Sequence, residues 1–301
     1  MSRWAHWLRD DELAIFLFHG VVTETRHVVR NYTRKHLPRE EFVSILKELA
    51  RTGTAVGMPE VLERAESGAP WPRRAFAITF DDGFRNNVAI AAPVLAEMQI
   101  PATFYVTTGF IGTSTGSWID LIEFAVERTA RVRLSLPALG LAGTWTTADE
   151  KRVLLDQVRR VVKHDPAIDP SAVVSDVWAQ TGVSALDPDA QLDDKMTWRD
   201  LQSLADHSLF TVGGHSHTHR ILEFLPTPVL TSEVATSVAL LRDHLGAPID
   251  HYSYPEGLAH CFSDRVIDVL KQHGIRCAPT AIAGTNSIGA DPFRLSRVMV
   301  A

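Results

Sequence analysis

The chain has 301 residues, 45% of them hydrophobic and 22% charged, which is enough to bury a sizeable core and unlike the composition of a disordered protein. A formal net charge of -6 with no long basic run argues against nucleic acid as the main partner and fits a small or neutral substrate. Two cysteines, Cys261 and Cys277, exclude a disulfide framework, and no apolar run reaches the length of about 18 residues that a membrane span needs.

The first twelve residues, from Met1 to Glu12, show neither an apolar leader nor a small-residue cleavage site, so a cytoplasmic location is expected. Residues 13–18 (Leu-Ala-Ile-Phe-Leu-Phe) form an apolar run too short for a buried helix, and it stops at His19-Gly20, so it predicts a strand that ends at a histidine. Phe42, Ile45, Leu46 and Leu49 repeat at helical spacing, and a second short helix is expected over 59–66. Residues 75–80 predict a buried strand, which Gly83 ends abruptly after Asp81-Asp82. Two adjacent carboxylates at a strand end repel one another, and burying them is costly unless a cation, a shared proton or solvent compensates. A helix over 87–98 and a strand over 101–107 complete one βαβ unit.

From 109 to 194 the alternation is less regular, with helices expected over 119–128, 148–163 and 171–180. Asp81 and His215 are 134 positions apart, more chain than one or two βα units require, so the segment 113–195 is read as a helical insertion over one face of the fold. Thr197 is placed as the N-cap of a helix carrying Leu201 and Leu204, followed by a strand over 209–212 broken by Gly213-Gly214. A long helix over 231–245, a strand over 249–254, a helix over 266–273 and strands over 274–278 and 293–300 finish the chain. The repeated strand-helix order predicts a single α/β domain over 1–301 with a largely parallel sheet, closed as a barrel.

In such a barrel, sites form at the C-terminal ends of the strands, where His19, Asp81-Asp82, the cluster His215-Ser216-His217-Thr218-His219 and Tyr254-Pro255 all fall. Thirteen histidines in 301 residues make three in five consecutive positions a rare event. His215 and His219, four apart, would share one side of a helical turn at metal-ligand distance. Two imidazoles and one carboxylate suit Zn²⁺, with Co²⁺, Ni²⁺ or Fe²⁺ as alternatives, and the second carboxylate is then free to act as a general base.

Three segments, TFDDG at 79–83, HSHTH at 215–219 and SYPEG at 253–257, resemble the first three motifs of the polysaccharide deacetylase superfamily, the NodB-homology proteins of carbohydrate esterase family 4. The resemblance implies a distorted (β/α) barrel of seven or eight strands. It also implies that Asp82, His215 and His219 bind a divalent metal, that Asp81 is the base, and that an acetyl group is removed from an N-acetylated amino sugar. Relatives often carry Arg-x-Pro-Tyr in the third motif, where this chain has Ser253-Tyr254-Pro255-Glu256, so the arginine and the usual tyrosine are missing. The resemblance then implies Arg297 of the last strand, with Arg294 competing, as the group that orients Asp81. Phe18-His19-Gly20 resembles the segment that supplies the histidine in relatives with permuted motif order, which makes His19 the expected general acid. The Glu256 backbone N–H is the expected oxyanion donor, and Tyr254, Pro255, Glu256 and Trp118 are the expected substrate contacts.

Two rivals stand beside this reading. Gly112-Thr113-Ser114-Thr115-Gly116 matches a serine nucleophile elbow but lacks the strand that should end at the serine. The altered third motif also fits a carbohydrate-binding relative without turnover, and the same metal site would serve a formyl or ring amide.

Overall fold

A computed structural model describes residues 3–24 and 26–301. The expected domain 1–301 and the expected leader-free amino terminus include Met1 and Ser2, which with Thr25 lie outside the described residues. The helices and strands that carry the argument are, in chain order, β1 (Glu12–Phe18), α1 (Arg39–Thr52), α2 (Met58–Ser67), β2 (Ala75–Phe80), α3 (Ala92–Glu97), β3 (Ala102–Val106), α4 (Trp118–Arg128), β4 (Val132–Leu136), β5 (Leu141–Trp145), α5 (Ala148–His164), α6 (Pro170–Thr181), α7 (Trp198–Ala205), β6 (Phe210–Gly214), α8 (Thr227–Leu245), α9 (Asp264–Gln272) and β7 (Val298–Met299).

The fold is α/β. Strands β7, β1, β2, β3 and β6 lie side by side and all parallel, with registers Phe16↔Val298, Phe16↔Ile78, Thr79↔Thr103 and Phe104↔Val212. Beyond β6 the pairing thins to single parallel bridges, Gly214↔Tyr252 and His251↔Cys277. Backbone bonds from Thr280 N to Leu295 O and from Arg297 N to Ile282 O then carry it back towards β7. Regular strands thus make up one side of the circuit and irregular segments the other, the distorted (β/α) barrel that was expected. The strands expected over 249–254, 274–278 and 293–300 shrink accordingly to bridges and the two-residue β7.

The strands are near-continuous apolar runs because both their faces are covered. Ala14, Phe16 and Phe18 of β1 pack outward with Phe76, Ile78, Phe80 and Phe104 against the helices, while Leu13 and Ile15 face inward with Ala75, Ala77, Cys277 and Leu295. Rings of neighbouring strands stack across the sheet, Phe18 on Phe80 at 5.4 Å and Phe80 on Phe104 at 5.2 Å. In α1 the four residues of the expected apolar stripe, Phe42, Ile45, Leu46 and Leu49, are the buried ones.

Several local expectations are corrected. The helix expected over 87–98 opens as a π-helical turn, Asn87–Ala91, before α3, since Pro93 has no N–H to give to the preceding turn. Gly213-Gly214 do not break β6 but lie within it. A Cβ at Gly213 would stand 2.7 Å from the His251 carbonyl oxygen, and one at Gly214 2.5 Å from the Tyr252 ring, so these glycines permit close approach of the neighbouring segment. The insertion is not wholly helical: α4, α5 and α6 are joined by an antiparallel hairpin of β4 and β5. Val132, Leu134 and Leu136 of β4 are buried and alternate with exposed Arg133 and Ser135, a period of two in a run too short to stand out. The insertion has its own apolar cluster, which includes Ile122, Val126, Leu134, Leu155, Val158 and Val177. Among the described residues no helix is long and apolar enough to cross a membrane.

Candidate active site

Strand ends place the chemistry. Asp81 stays aligned with β2 through a bond from its N–H to the Phe18 carbonyl, and Asp82 then turns away at φ 76. The histidine segment is a loop, not the helical turn expected from the four-residue spacing, because Ser216 and His219 take φ 65 and 60. The loop is pinned to the end of β3: Thr107 Oγ1 donates to the His215 carbonyl at 3.0 Å, and Gly109 N to the His217 carbonyl at 2.8 Å. From α8, the Glu233 carboxylate accepts the N–H groups of His217 and Thr218 at 2.8 and 2.5 Å. Asp82, Ser216, His219 and Glu256 all hold positive φ, a concentration of backbone strain that surrounding bonds must maintain.

The loop brings His215 and His219 together all the same, their ring centres 5.0 Å apart. Asp82 Oδ1 lies 3.1 Å from His219 Nε2 and 3.5 Å from His215 Nε2, and one ligand atom from each residue falls within 4.8 Å of the others. His215 Nδ1 is 3.0 Å from the Ser253 carbonyl, a bond that Nδ1–H donates and that leaves the Nε2 lone pair facing the carboxylate. Lone pairs and a negative oxygen converging on one point are what a divalent cation neutralises, so the donor set fits a metal. Burial opposes charge on Asp82, but Lys35 and His219 outweigh it and hold the carboxyl well below its ordinary value. For His215, burial lowers proton affinity, while Asp81 and Asp82 more than reverse this and raise it. A metal would therefore take the place of a proton.

Asp81, 3% exposed, meets Arg297, 1% exposed, in a two-point contact: Nη1 to Oδ1 at 2.9 Å and Nη2 to Oδ2 at 2.7 Å. Arg294 instead pairs with Asp291 and Asp264 at the exterior. Burial raises the Asp81 carboxyl, yet Arg297 and His215 bring it below its ordinary value. Ser253 Oγ donates to Asp81 Oδ1 at 3.2 Å and sits 2.6 Å from His215 Nδ1, so one hydroxyl links the arginine-bound carboxylate to a candidate ligand. His19 ends β1 on the same rim, half-buried. Burial drives its imidazole down to about 4, with Asp82 opposing and Lys35 assisting, so the ring is neutral at neutral pH.

The expected substrate contacts divide. Trp118 and Glu256 line a cavity of about 670 Å³ that His219 also lines. Tyr254 does not: it is fully buried, stacked on Phe262 at 4.5 Å, and its hydroxyl donates to the Phe293 carbonyl at 2.9 Å. Pro255 is buried and is not part of that wall. The Glu256 side chain pairs with Lys163 of α5 at 2.5 Å, which ties the insertion to the third motif. Its N–H is taken by no backbone bond among the described residues. At the rival serine elbow, Ser114 is exposed, lies outside any strand and bonds Asp194 at 3.2 Å, so no nucleophile geometry forms there.

Two lysines escaped the sequence reading. Lys35 Nζ is 2.9 Å from Asp82 Oδ2 and 3.3 Å from Asp120 Oδ1, and these acids overcome its burial to hold the ammonium above its ordinary value. Buried Lys195 packs its Nζ 3.3 Å from the centre of the Phe84 ring, and burial pushes it down to about 8. Neither stands in a motif, so no signal in the chain marks them. Ser253 lies inside SYPEG and Glu233 in a plain helical stretch; only the first had a pointer.

The sequence model of the polysaccharide deacetylase family matches residues 69–168 and 172–278. No curated protein sequence matches the chain. Among solved structures, IcaB from Ammonifex degensii is 18% identical with a TM-score of 0.63, over 97% of this chain and 93% of that one. PplD, a Streptococcus pyogenes deacetylase in complex with acetate, is 14% identical with a TM-score of 0.60 over the same shares, 97% and 93%. The deacetylase domain of BpsB from Bordetella bronchiseptica is 17% identical with a TM-score of 0.57, over 97% of both chains. At these identities the likeness is one of fold. The family match spans more than half of the chain and includes the TFDDG, HSHTH and SYPEG segments, and the chain belongs to the polysaccharide deacetylase (NodB-homology) family.

Proposed function

We propose that the protein is a metal-dependent hydrolase that removes the acetyl group from an N-acetylated amino sugar. One observation carries the reading: the cluster of Asp82, His215 and His219 has beside it a second carboxylate, Asp81, held by a buried arginine and not by the cluster itself. A pure binding site has no use for that second carboxylate.

Asp82, His215 and His219 would hold the cation, Zn²⁺ by donor type with Co²⁺, Ni²⁺ or Fe²⁺ as alternatives. Once bound, such a cation polarises an amide carbonyl and makes water more acidic. Asp81 then takes the proton of the attacking water, with Arg297 and Ser253 Oγ fixing the direction of its lone pairs. The Glu256 N–H, taken by no backbone bond among the described residues, would bond the oxygen on which charge develops. His19 begins neutral, so to act as general acid it must first receive the proton that Asp81 has taken from the water, which it then gives to the departing amine. The insertion is tied to the third motif through Lys163 and Glu256. We take the substrate to be a precursor of surface polysaccharide met in the cytoplasm.

Acetate release from N-acetylated sugars tests the proposal. Dialysis against a strong chelator should abolish it and Zn²⁺ or Co²⁺ restore it, while Asp81→Asn should remove turnover and leave bound metal unchanged. Full activity without metal would refute the mechanism, and metal-bound protein with no turnover of any amide would favour a binding role.

A further inference from the structure

The cavity beside His219 opens between the insertion and the barrel rim. From the insertion come Trp118, Leu121, Ile168 and Val174; from the segment after the histidine loop come Ile221 and Phe224. All six are half-buried, apolar surface left facing an open volume of about 670 Å³, a size typical of sites for small organic ligands.

A wall built for a run of sugar rings would offer uncommitted carboxylates, amides and hydroxyls. Apart from Arg220, which is exposed, and the Ser171 hydroxyl, the polar groups of the wall are engaged inside the protein. The Ser117 hydroxyl donates to Asp120 at 2.9 Å, Lys163 pairs with Glu256 at 2.5 Å, and the Asp169 carboxylate accepts from Ser171 N at 3.0 Å. The Ser175 hydroxyl donates to the Ser171 carbonyl at 3.0 Å and that of Thr218 to Glu233 at 2.9 Å. An apolar wall continuous with a candidate metal ligand asks for a substrate that is polar at the amide and apolar beyond it.

Resting on the hydrolase reading above, we propose that the amide-bearing sugar carries an apolar chain, an alkyl or isoprenoid group joined through its anomeric position, and that this chain lies in the cavity while the amide reaches the centre beyond His219. The substrate is thus a lipid-linked amino sugar, not a finished polymer.

Binding separates this from turnover. In the full chain supplied with Zn²⁺ and carrying Asp81→Asn, calorimetric titration compares the octyl and methyl glycosides of N-acetylglucosamine, the octyl compound below its micelle concentration, with the N-acetylglucosamine tetramer. The octyl glycoside should bind at least about tenfold tighter than the methyl glycoside. Ser175→Trp, which fills the cavity, and Val174→Asp, which charges its wall, should each bring that ratio to within about threefold, thermal unfolding showing which variant is folded. Equal affinity for the two glycosides, tighter binding of the tetramer than of the octyl glycoside, or an octyl preference that survives both substitutions would overturn the proposal. An octyl preference sensitive to the substitutions, with no acetate released when Asp81 is intact, would uphold the chain site and defeat the hydrolase reading instead.

Discussion

Arg297→Met cuts the support of the candidate base without touching the cluster of Asp82, His215 and His219. The guanidinium makes two charged bonds to Asp81, accepts none, and also donates to the Thr280 carbonyl at 2.5 Å and to Thr79 Oγ1 at 3.3 Å. Methionine fills much of the volume but leaves Asp81 Oδ2 without its arginine partner, Oδ1 keeping the Ser253 hydroxyl. Breaking a buried ion pair on one side costs about 3–5 kcal/mol, and the guanidinium's charge-assisted bonds to Thr280 and Thr79 are lost with it. In the native protein Asp81 sits below its unfolded value, so its pairing contributes stability that is full above that value and fades as pH falls through the folded one. Without Arg297 burial dominates and the carboxyl rises, so that it loses stability as pH rises. The gap between the two proteins should therefore widen from acid to neutral pH. Urea unfolding of the metal-free proteins at about pH 4 and about pH 7 measures this, and the acid limb of the rate profile should move up by about 1–3 pH units. A gap under about 1 kcal/mol at neutral pH, or one equal at both pH values, would refute the account.

Three further outcomes follow from the site. Gly109→Ala places a Cβ 2.4 Å from the His217 carbonyl oxygen, backbone that cannot yield without moving the histidine loop, and Zn²⁺ affinity by competition with a chromophoric chelator should fall at least about tenfold. Glu233→Gln keeps the shape but loses the charge that receives two N–H groups of that loop, and should cost about 1–2 kcal/mol in urea unfolding together with a weaker metal site. Tyr254→Phe should lower stability by about 1 kcal/mol through the orphaned Phe293 carbonyl with KM unchanged, whereas a severalfold rise in KM would return Tyr254 to the substrate site.

Along the chain itself, the apolar runs of β1 and β2, the stripe of α1, the Thr197 cap and the two carboxylates at a strand end were legible because each is set by near neighbours: side-chain period, a hydroxyl ahead of a helix, a stop at glycine, a repulsion between adjacent charges. So was the family, through segments whose spacing needs no third dimension. Local reading failed where the same residues serve a distant partner. Gly213-Gly214 look like a break and are a close approach to the segment holding His251 and Tyr252. Tyr254 sits in a motif yet turns its hydroxyl to Phe293, 39 residues on. The four-residue spacing of His215 and His219 joined them for the wrong reason, since the strained loop, held by Thr107, Gly109 and Glu233, does what a helical turn would have done.

What the sequence determined by itself was the inventory: a parallel α/β chain, Asp81 and Asp82 at one strand end, and two histidines that could share an ion. The tertiary structure alone decided how the inventory is wired. It set Arg297 and not Arg294 against Asp81, put Ser253 between that carboxylate and His215, brought Lys35 to Asp82, and faced the insertion's apolar wall toward His219. Each of these contacts joins residues from 38 to 216 positions apart, or elements with no shared period. Contact at that separation is fixed by closure of the sheet and by burial, to which no local pattern in the chain responds.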